Sequence, residues 1–295
     1  MFAGFTRELR HVNGVDIAYR IGGEGPALLL MHGHPQTHVI WHKVAERLAE
    51  HFTVVAADLR GYGDSGRPPA DDLHINYSKR VMARDHLELM HAVGFDSFRV
   101  LAHDRGARVA HRLALDHPGA VERLVTLDIA PTLAMYEQTN EAFARAYWHW
   151  FFLIRPAPLP ETLIQASPEG YLRSVMGTRS AGMAPFTDEA FADYLRGLSR
   201  PGSATSLCED YRASASIDLE HDRADLAAGR RLTVPLLAMW GADGVVARCF
   251  DPLAEWRKVA DDVHGQALPG GHYLPEEVPD ELLAAALPFL LWRKD

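Results

Sequence analysis

Cysteine is nearly absent: the 295 residues contain two, Cys208 and Cys249. Two isolated thiols form no disulfide framework; both read as small buried hydrophobes, as expected in a reducing compartment. Basic charge is also scarce, with 30 Lys and Arg against 39 Asp and Glu and a formal charge of −9. That balance argues against nucleic acid and anionic membrane as partners, since both select basic faces. The apolar stretch Leu282–Trp292 is short and interrupted by Pro288, so it reads as a packing helix and not a membrane span. The opening residues lack the basic-then-apolar pattern of a secretory leader, so a cytoplasmic location is expected. There is no internal repeat, charge block or low-complexity segment.

What is present is ample apolar material, 47% of the chain, in a pattern that alternates strands with helices. Val15–Arg20 alternates with period two, and Ala27–Met31 is a continuous apolar run that ends in His32-Gly33. Trp41, Val44, Ala45 and Leu48 recur at helical spacing. Phe52–Ala57, Phe98–Ala102 and Leu124–Ile129 read as further strands, with helices over Val81–Val93 and Arg105–Leu115. Strands separated by helices predict a mostly parallel α/β sheet, whose ligands bind beyond the carboxyl ends of its strands. From Pro131 to about 225 the pattern turns helical and aromatic, with no convincing strand. Strands resume at Val234–Trp240 and Gly265–Leu268, followed by a closing helix. The expected organisation is an α/β core over 1–131 and 226–295, interrupted by a helical cap over 132–225.

The most informative residues lie between a strand and a helix: Ala102-His103-Asp104-Arg105-Gly106-Ala107-Arg108. This has the form of a nucleophile elbow, with aspartate in the slot where esterases carry serine. A carboxylate is already anionic at neutral pH and displaces leaving groups from saturated carbon, forming an alkyl ester on the enzyme. His272, in Pro269-Gly270-Gly271-His272-Tyr273, follows in the order expected of a general base. The acid that orients it is either Asp128, after the strand that follows the elbow helix, or Asp243, after the next strand. Arg105 and Arg108, one helical turn apart, are placed to grip a substrate carboxylate. The run His32-x-His34-x-x-x-His38 invites a metal reading, but it lacks the completing aspartate of the binuclear zinc motif, and no metal is expected.

His32-Gly33-x-Pro35, Asp58-Leu59-Arg60-Gly61-Tyr62-Gly63-x-Ser65, the aspartate elbow and Gly271-His272 resemble the α/β-hydrolase superfamily. The aspartate narrows the resemblance to its haloalkane dehalogenase and epoxide hydrolase branch. His103-Asp104-Arg105-Gly106-x-Arg108, Leu127-Asp128-Ile129-x-Pro131 and Tyr147-Trp148-His149-Trp150 together resemble fluoroacetate (haloacetate) dehalogenases. The resemblance spans essentially the whole chain. It favours Asp128 as the acid and implies that His149, Trp150 and Tyr211 bind the departing halide. It also implies oxyanion contacts from the backbone N–H groups of Arg105 and His34, the latter standing where the family usually has phenylalanine. The expected activity is hydrolysis of small anionic haloacids by a homodimer without cofactor. Epoxide hydrolysis, with lid tyrosines drawn from Tyr147, Tyr171, Tyr194 and Tyr211, and a non-catalytic small-molecule receptor are the alternatives.

Overall fold

The computed structural model describes residues 1–292. Its centre is one eight-stranded sheet of order β1-β2-β4-β3-β5-β6-β7-β8. The strands are β1 Thr6–Val12, β2 Val15–Gly22, β3 Ala27–Met31, β4 Thr53–Ala57, β5 Phe98–His103, β6 Val121–Leu127, β7 Leu236–Gly241 and β8 Val263–Leu268. β1 and β2 pair antiparallel, as do β2 and β4, and every later pairing is parallel. β3 and β5 are buried along their whole length, which explains their unbroken apolar sequences: helices cover both faces of the sheet.

Three expectations need correction. β1 gave no strand signal because it is an edge strand, and six of its seven residues are exposed. The pattern at Trp41–Leu48 is not one helix; it divides into a 3₁₀ turn, His38–Lys43, and a single α turn, Ala45–Leu48. Cys249 is half-buried, unlike the enclosed Cys208. The closing helix, Pro279–Leu291, carries Pro288 inside it. No helix among the described residues is long and apolar enough to cross a membrane.

Between β6 and β7 the chain forms a succession of short helices, from Thr132–Glu137 to Ile217–Ala227. These lie against the carboxyl end of the sheet. Tyr62, in the loop after β4, donates to Asp210 on the helix Ser203–Ser214 at 2.7 Å. Thr37 donates to Asp193 on the helix Asp188–Leu198 at 2.8 Å. The strand ends are thereby roofed by the insertion, and the residues between sheet and roof are removed from water.

Candidate active site

β5 runs directly into the helix Asp104–Asp116, and Asp104 makes the turn at φ +43°. A non-glycine residue held in the left-handed region is strained, and such strain gathers at functional positions. Two glycines permit the close packing. A Cβ on Gly106 would meet the His32 carbonyl oxygen at 2.4 Å, and one on Gly33 would meet the Asp104 Cβ at 2.5 Å. With Gly33 bare, the His34 N–H reaches Asp104 Oδ2 at 3.0 Å. Burial alone would raise the Asp104 carboxyl, but His272, Arg108, His103 and Arg105 outweigh it and hold the group well below the usual carboxylate range.

His272, beyond β8, places Nδ1 2.6 Å from Asp128 Oδ2. Asp128 follows β6, has φ +49°, and accepts the Gly241 N–H on its other oxygen at 3.0 Å. A fully buried carboxylate with both oxygens engaged holds the imidazole proton on Nδ1 and leaves Nε2 as the basic nitrogen. Asp243 is exposed and, among the described residues, its side chain forms no hydrogen bond or ion pair with His272; its N–H donates to Gly270 O at 3.0 Å.

The two elbow arginines differ. Arg105 is wholly buried, with Nε 3.0 Å from Asp210 Oδ2 and Nη2 2.7 Å from Oδ1, while its Nη1 has no partner. Lys79 also donates to Asp210 and lies 3.5 Å from Asp218, so this cluster of two cations and two carboxylates is neutral. Arg108 has no carboxylate partner among the described residues. Its Nη1 donates to Ala130 O at 3.2 Å and Thr132 Oγ1 at 3.0 Å, its Nη2 touches the Met135 sulfur, and its Nε has no partner. Each guanidinium therefore keeps one nitrogen free, so a carboxylate gripped by both would receive one contact from each.

The insertion supplies the opposite wall. His34 stacks on His149 at 5.5 Å and meets Tyr211 edge-on at 5.1 Å. Arg105 lies over Tyr211 at 4.1 Å and Arg108 over Trp150 at 4.7 Å. His149 Nδ1, Trp150 Nε1, the Tyr211 hydroxyl and His34 Nδ1 are all buried without a hydrogen-bond partner. Burial, aided by the charge of Arg179, pushes His149 well below its ordinary value, and burial lowers His34 to about 3, so both rings are neutral. Native interiors rarely leave such groups unpaired, and these four lie against one another between the sheet and the insertion.

Three further tyrosines are engaged, while the Tyr136 and Tyr273 hydroxyls are buried without a hydrogen-bond partner. Tyr171 bonds His34 Nε2 at 3.0 Å, Tyr194 donates to Glu276 at 2.9 Å, and the Tyr147 hydroxyl lies 3.4 Å from His272 Nδ1. The histidine run is likewise accounted for: His32 Nε2 accepts the Leu59 N–H at 3.0 Å, and His38 Nδ1 lies 2.8 Å from Asp58. Three contributors escaped the sequence reading. Asp210 and Lys79 look like solvated charges in a linear sequence, and Arg179 sits in the turn after the helix Pro168–Met176. The position of Asp210 beside Tyr211 was the one available signal.

Residues 26–244 match the family model described as alpha/beta hydrolase fold. A fluoroacetate dehalogenase of Burkholderia sp is 43% identical, over 98% of this chain and 95% of its own length. A soluble epoxide hydrolase of Corynebacterium sp. (strain C12) is 36% identical over 98% of both chains. A solved structure from Nostoc sp PCC 7120, provisionally described as an alpha/beta hydrolase, is 52% identical and superposes with a TM-score of 0.97 over 99% of this chain and 100% of that one.

Proposed function

The chain belongs to the alpha/beta hydrolase family, and from that premise we propose that it hydrolyses short 2-haloacids, fluoroacetate above all, to 2-hydroxyacids. The observation that carries this reading is the pairing of an anionic elbow carboxylate with a wall of buried, unpartnered donors: His149, Trp150 and Tyr211.

Oδ2 of Asp104 accepts the His34 N–H, which leaves Oδ1 to attack the α-carbon. The carbon–halogen bond breaks as the ester bond forms, and the halide takes the bonding electrons. Fluoride is strongly hydrated, so a dry site must replace that hydration as charge develops. The indole N–H of Trp150, the Tyr211 O–H and the imidazole of His149 serve that purpose. Arg108 and the free nitrogen of Arg105 fix the substrate carboxylate and orient the α-carbon, and the unpaired charge of Arg108 offsets part of its repulsion by Asp104. Water then gives a proton to His272 Nε2 and attacks the ester carbonyl. The oxyanion forms on the oxygen already held by the His34 N–H. Collapse expels the alkoxide oxygen of the product, which takes the proton back from His272. The second proton of the water leaves the Asp104 carboxyl for solvent, so the hydroxyacid is released and the starting enzyme restored. Neither half-reaction calls for a cofactor.

A single turnover of fluoroacetate in heavy-oxygen water is the test. Label is expected in the peptide that contains Asp104, with fluoride released in step. Unlabelled Asp104 with full fluoride release would overturn the ester mechanism, and no halide from any haloacetate would overturn the substrate class.

Epoxide opening is the second reading, and the Corynebacterium relative favours it. That chemistry protonates the opening oxygen with a pair of tyrosine hydroxyls. Here Tyr171 and Tyr194 are bonded elsewhere and Tyr147 sits against His272, so of those four tyrosines Tyr211 alone is unpartnered. Tyr136 of the insertion, packed against Trp150, is the other free hydroxyl such a pair would need. Turnover of an aryl epoxide with no turnover of haloacetates would establish the second reading in place of the first.

A further inference from the structure

A third arginine approaches the site from the seam between insertion and sheet. Arg179 donates from Nη1 to Ala146 O at 3.1 Å and lies over the Tyr147 ring at 4.3 Å. Its Nε is sealed from solvent near the Tyr273 hydroxyl without a well-formed hydrogen bond, and no carboxylate pairs with it among the described residues. The hydroxyl of that same Tyr147 is 3.4 Å from His272 Nδ1. One face of Arg179 borders a cavity of about 180 Å³, whose walls include Ser180, Asp243, Arg248 and His272. The cavity is therefore bordered both by the rim of the insertion and by the residue proposed as base.

The charge balance gives Arg179 a purpose. Asp210 neutralises Arg105, so Arg108 alone would face both Asp104 and an incoming anion. A second unpaired cation between rim and pocket removes that deficit. At the rim, Arg248 and Asp243 are both exposed and screened by solvent, which leaves Arg179 as the inner charge without a carboxylate partner among the described residues. Its field reaches Asp104, His149 and His34.

Resting on the haloacid reading, we propose that this seam cavity is the entry port for a small organic anion and that Arg179 is its selectivity-determining residue. Arg179 draws the halocarboxylate in past His272 and hands it to Arg108. It acts on capture of the anion and leaves the displacement itself to Asp104.

The test compares wild type, Arg179→Gln and Arg179→Lys with fluoroacetate. Ionic strength is raised from about 0.01 M to about 0.15 M, over which the Debye length falls from roughly 30 Å to roughly 8 Å. Steering of an anion by a focused charge is worth about tenfold or more in capture rate. Arg179→Gln is therefore expected to lower kcat/KM about tenfold at low salt and to flatten its salt dependence. The single-turnover rate at saturation should fall by less than about twofold, and Arg179→Lys should recover most of the loss. A saturating rate that falls as far as kcat/KM would overturn the proposal, as would an unchanged salt slope. Chloride inhibition separates entry from exit: if Arg179→Gln alters only kcat and chloride inhibition, the port serves the departing halide and the assignment fails. If wild type releases no halide at all, the function falls separately. The port is then judged by acetate binding to Asp104→Asn protein, followed by tryptophan fluorescence. Salt-dependent association that Arg179→Gln abolishes supports the port, and association indifferent to Arg179 overturns it.

Discussion

The two walls of the site are built on opposite principles. On the sheet side, the groups nearest the reacting atoms already have protein partners: Asp104 accepts the His34 N–H, and His272 is held by Asp128, itself held by Gly241. On the insertion side, His149 Nδ1, Trp150 Nε1 and the Tyr211 hydroxyl are buried and unpaired. Each such orphan costs about 1–3 kcal/mol of stability in the free protein. The sheet wall therefore has its nucleophile and base set by folding and keeps single atoms of Arg105, Arg108 and His34 unpaired, whereas the insertion wall holds three side chains in reserve for an anion. Stability is sacrificed where charge develops and kept where alignment matters.

The most severe way to break this contrast is Asp104→Asn, which keeps the turn and removes the nucleophile. Fluoride release should fall by about 10⁴-fold or more, read with a fluoride electrode. Asp128→Asn should come next, at about 10³- to 10⁴-fold, because the His272 proton loses its acceptor and the wrong tautomer forms. Asp243→Asn should stay near wild type, since that carboxylate is exposed and forms no hydrogen bond or ion pair with the imidazole among the described residues. Equal losses for the two aspartates would dissolve the distinction between the acid and its neighbour.

Trp150→Phe probes the other wall. Loss of one donor to developing charge should cost about 10²-fold in kcat. Stability should change little, because removal of a buried unpaired N–H offsets the lost packing over Arg108. A fall in melting temperature with kcat unchanged would make Trp150 ordinary core.

Much of the sheet wall could be read in the linear sequence, because the elbow pattern and the strand-end positions are local. In that sequence the choice of Asp128 over Asp243 rests on the resemblance alone, since both follow strands; the fold shows that Asp128 meets Nδ1 at 2.6 Å. The insertion was legible as aromatic helix, with His149, Trp150 and Tyr211 visible through the resemblance alone. Asp210, Lys79 and Arg179 carry no local pattern: their meaning lies in charges brought together from three separate segments. β1 was missed for the related reason that an exposed edge strand needs no apolar repeat.

The seam between the walls offers the mildest effect and the most specific sign. Glu276, on the sheet side, accepts from Tyr194 of the insertion at 2.9 Å and from Gln36 of the loop after β3 at 2.5 Å. Lys43 and His42 face it, and Glu277 adds a like charge nearby. Burial, the dominant influence, pushes its carboxyl up to about 8. The unfolded chain should titrate near the ordinary value of about 4.3, so the folded state binds the extra proton between the two. This contribution is complete below pH about 4.3 and is lost as pH rises through about 8, with a slope of at most about 1.4 kcal/mol per pH unit. Glu276→Gln mimics the protonated form and should flatten the fall in stability across that interval, measured by urea unfolding at several pH values. If the variant and wild type lose stability in parallel, Glu276 is not the titrating link between sheet and insertion. If the variant instead steepens the loss, the carboxylate form is the one the seam prefers.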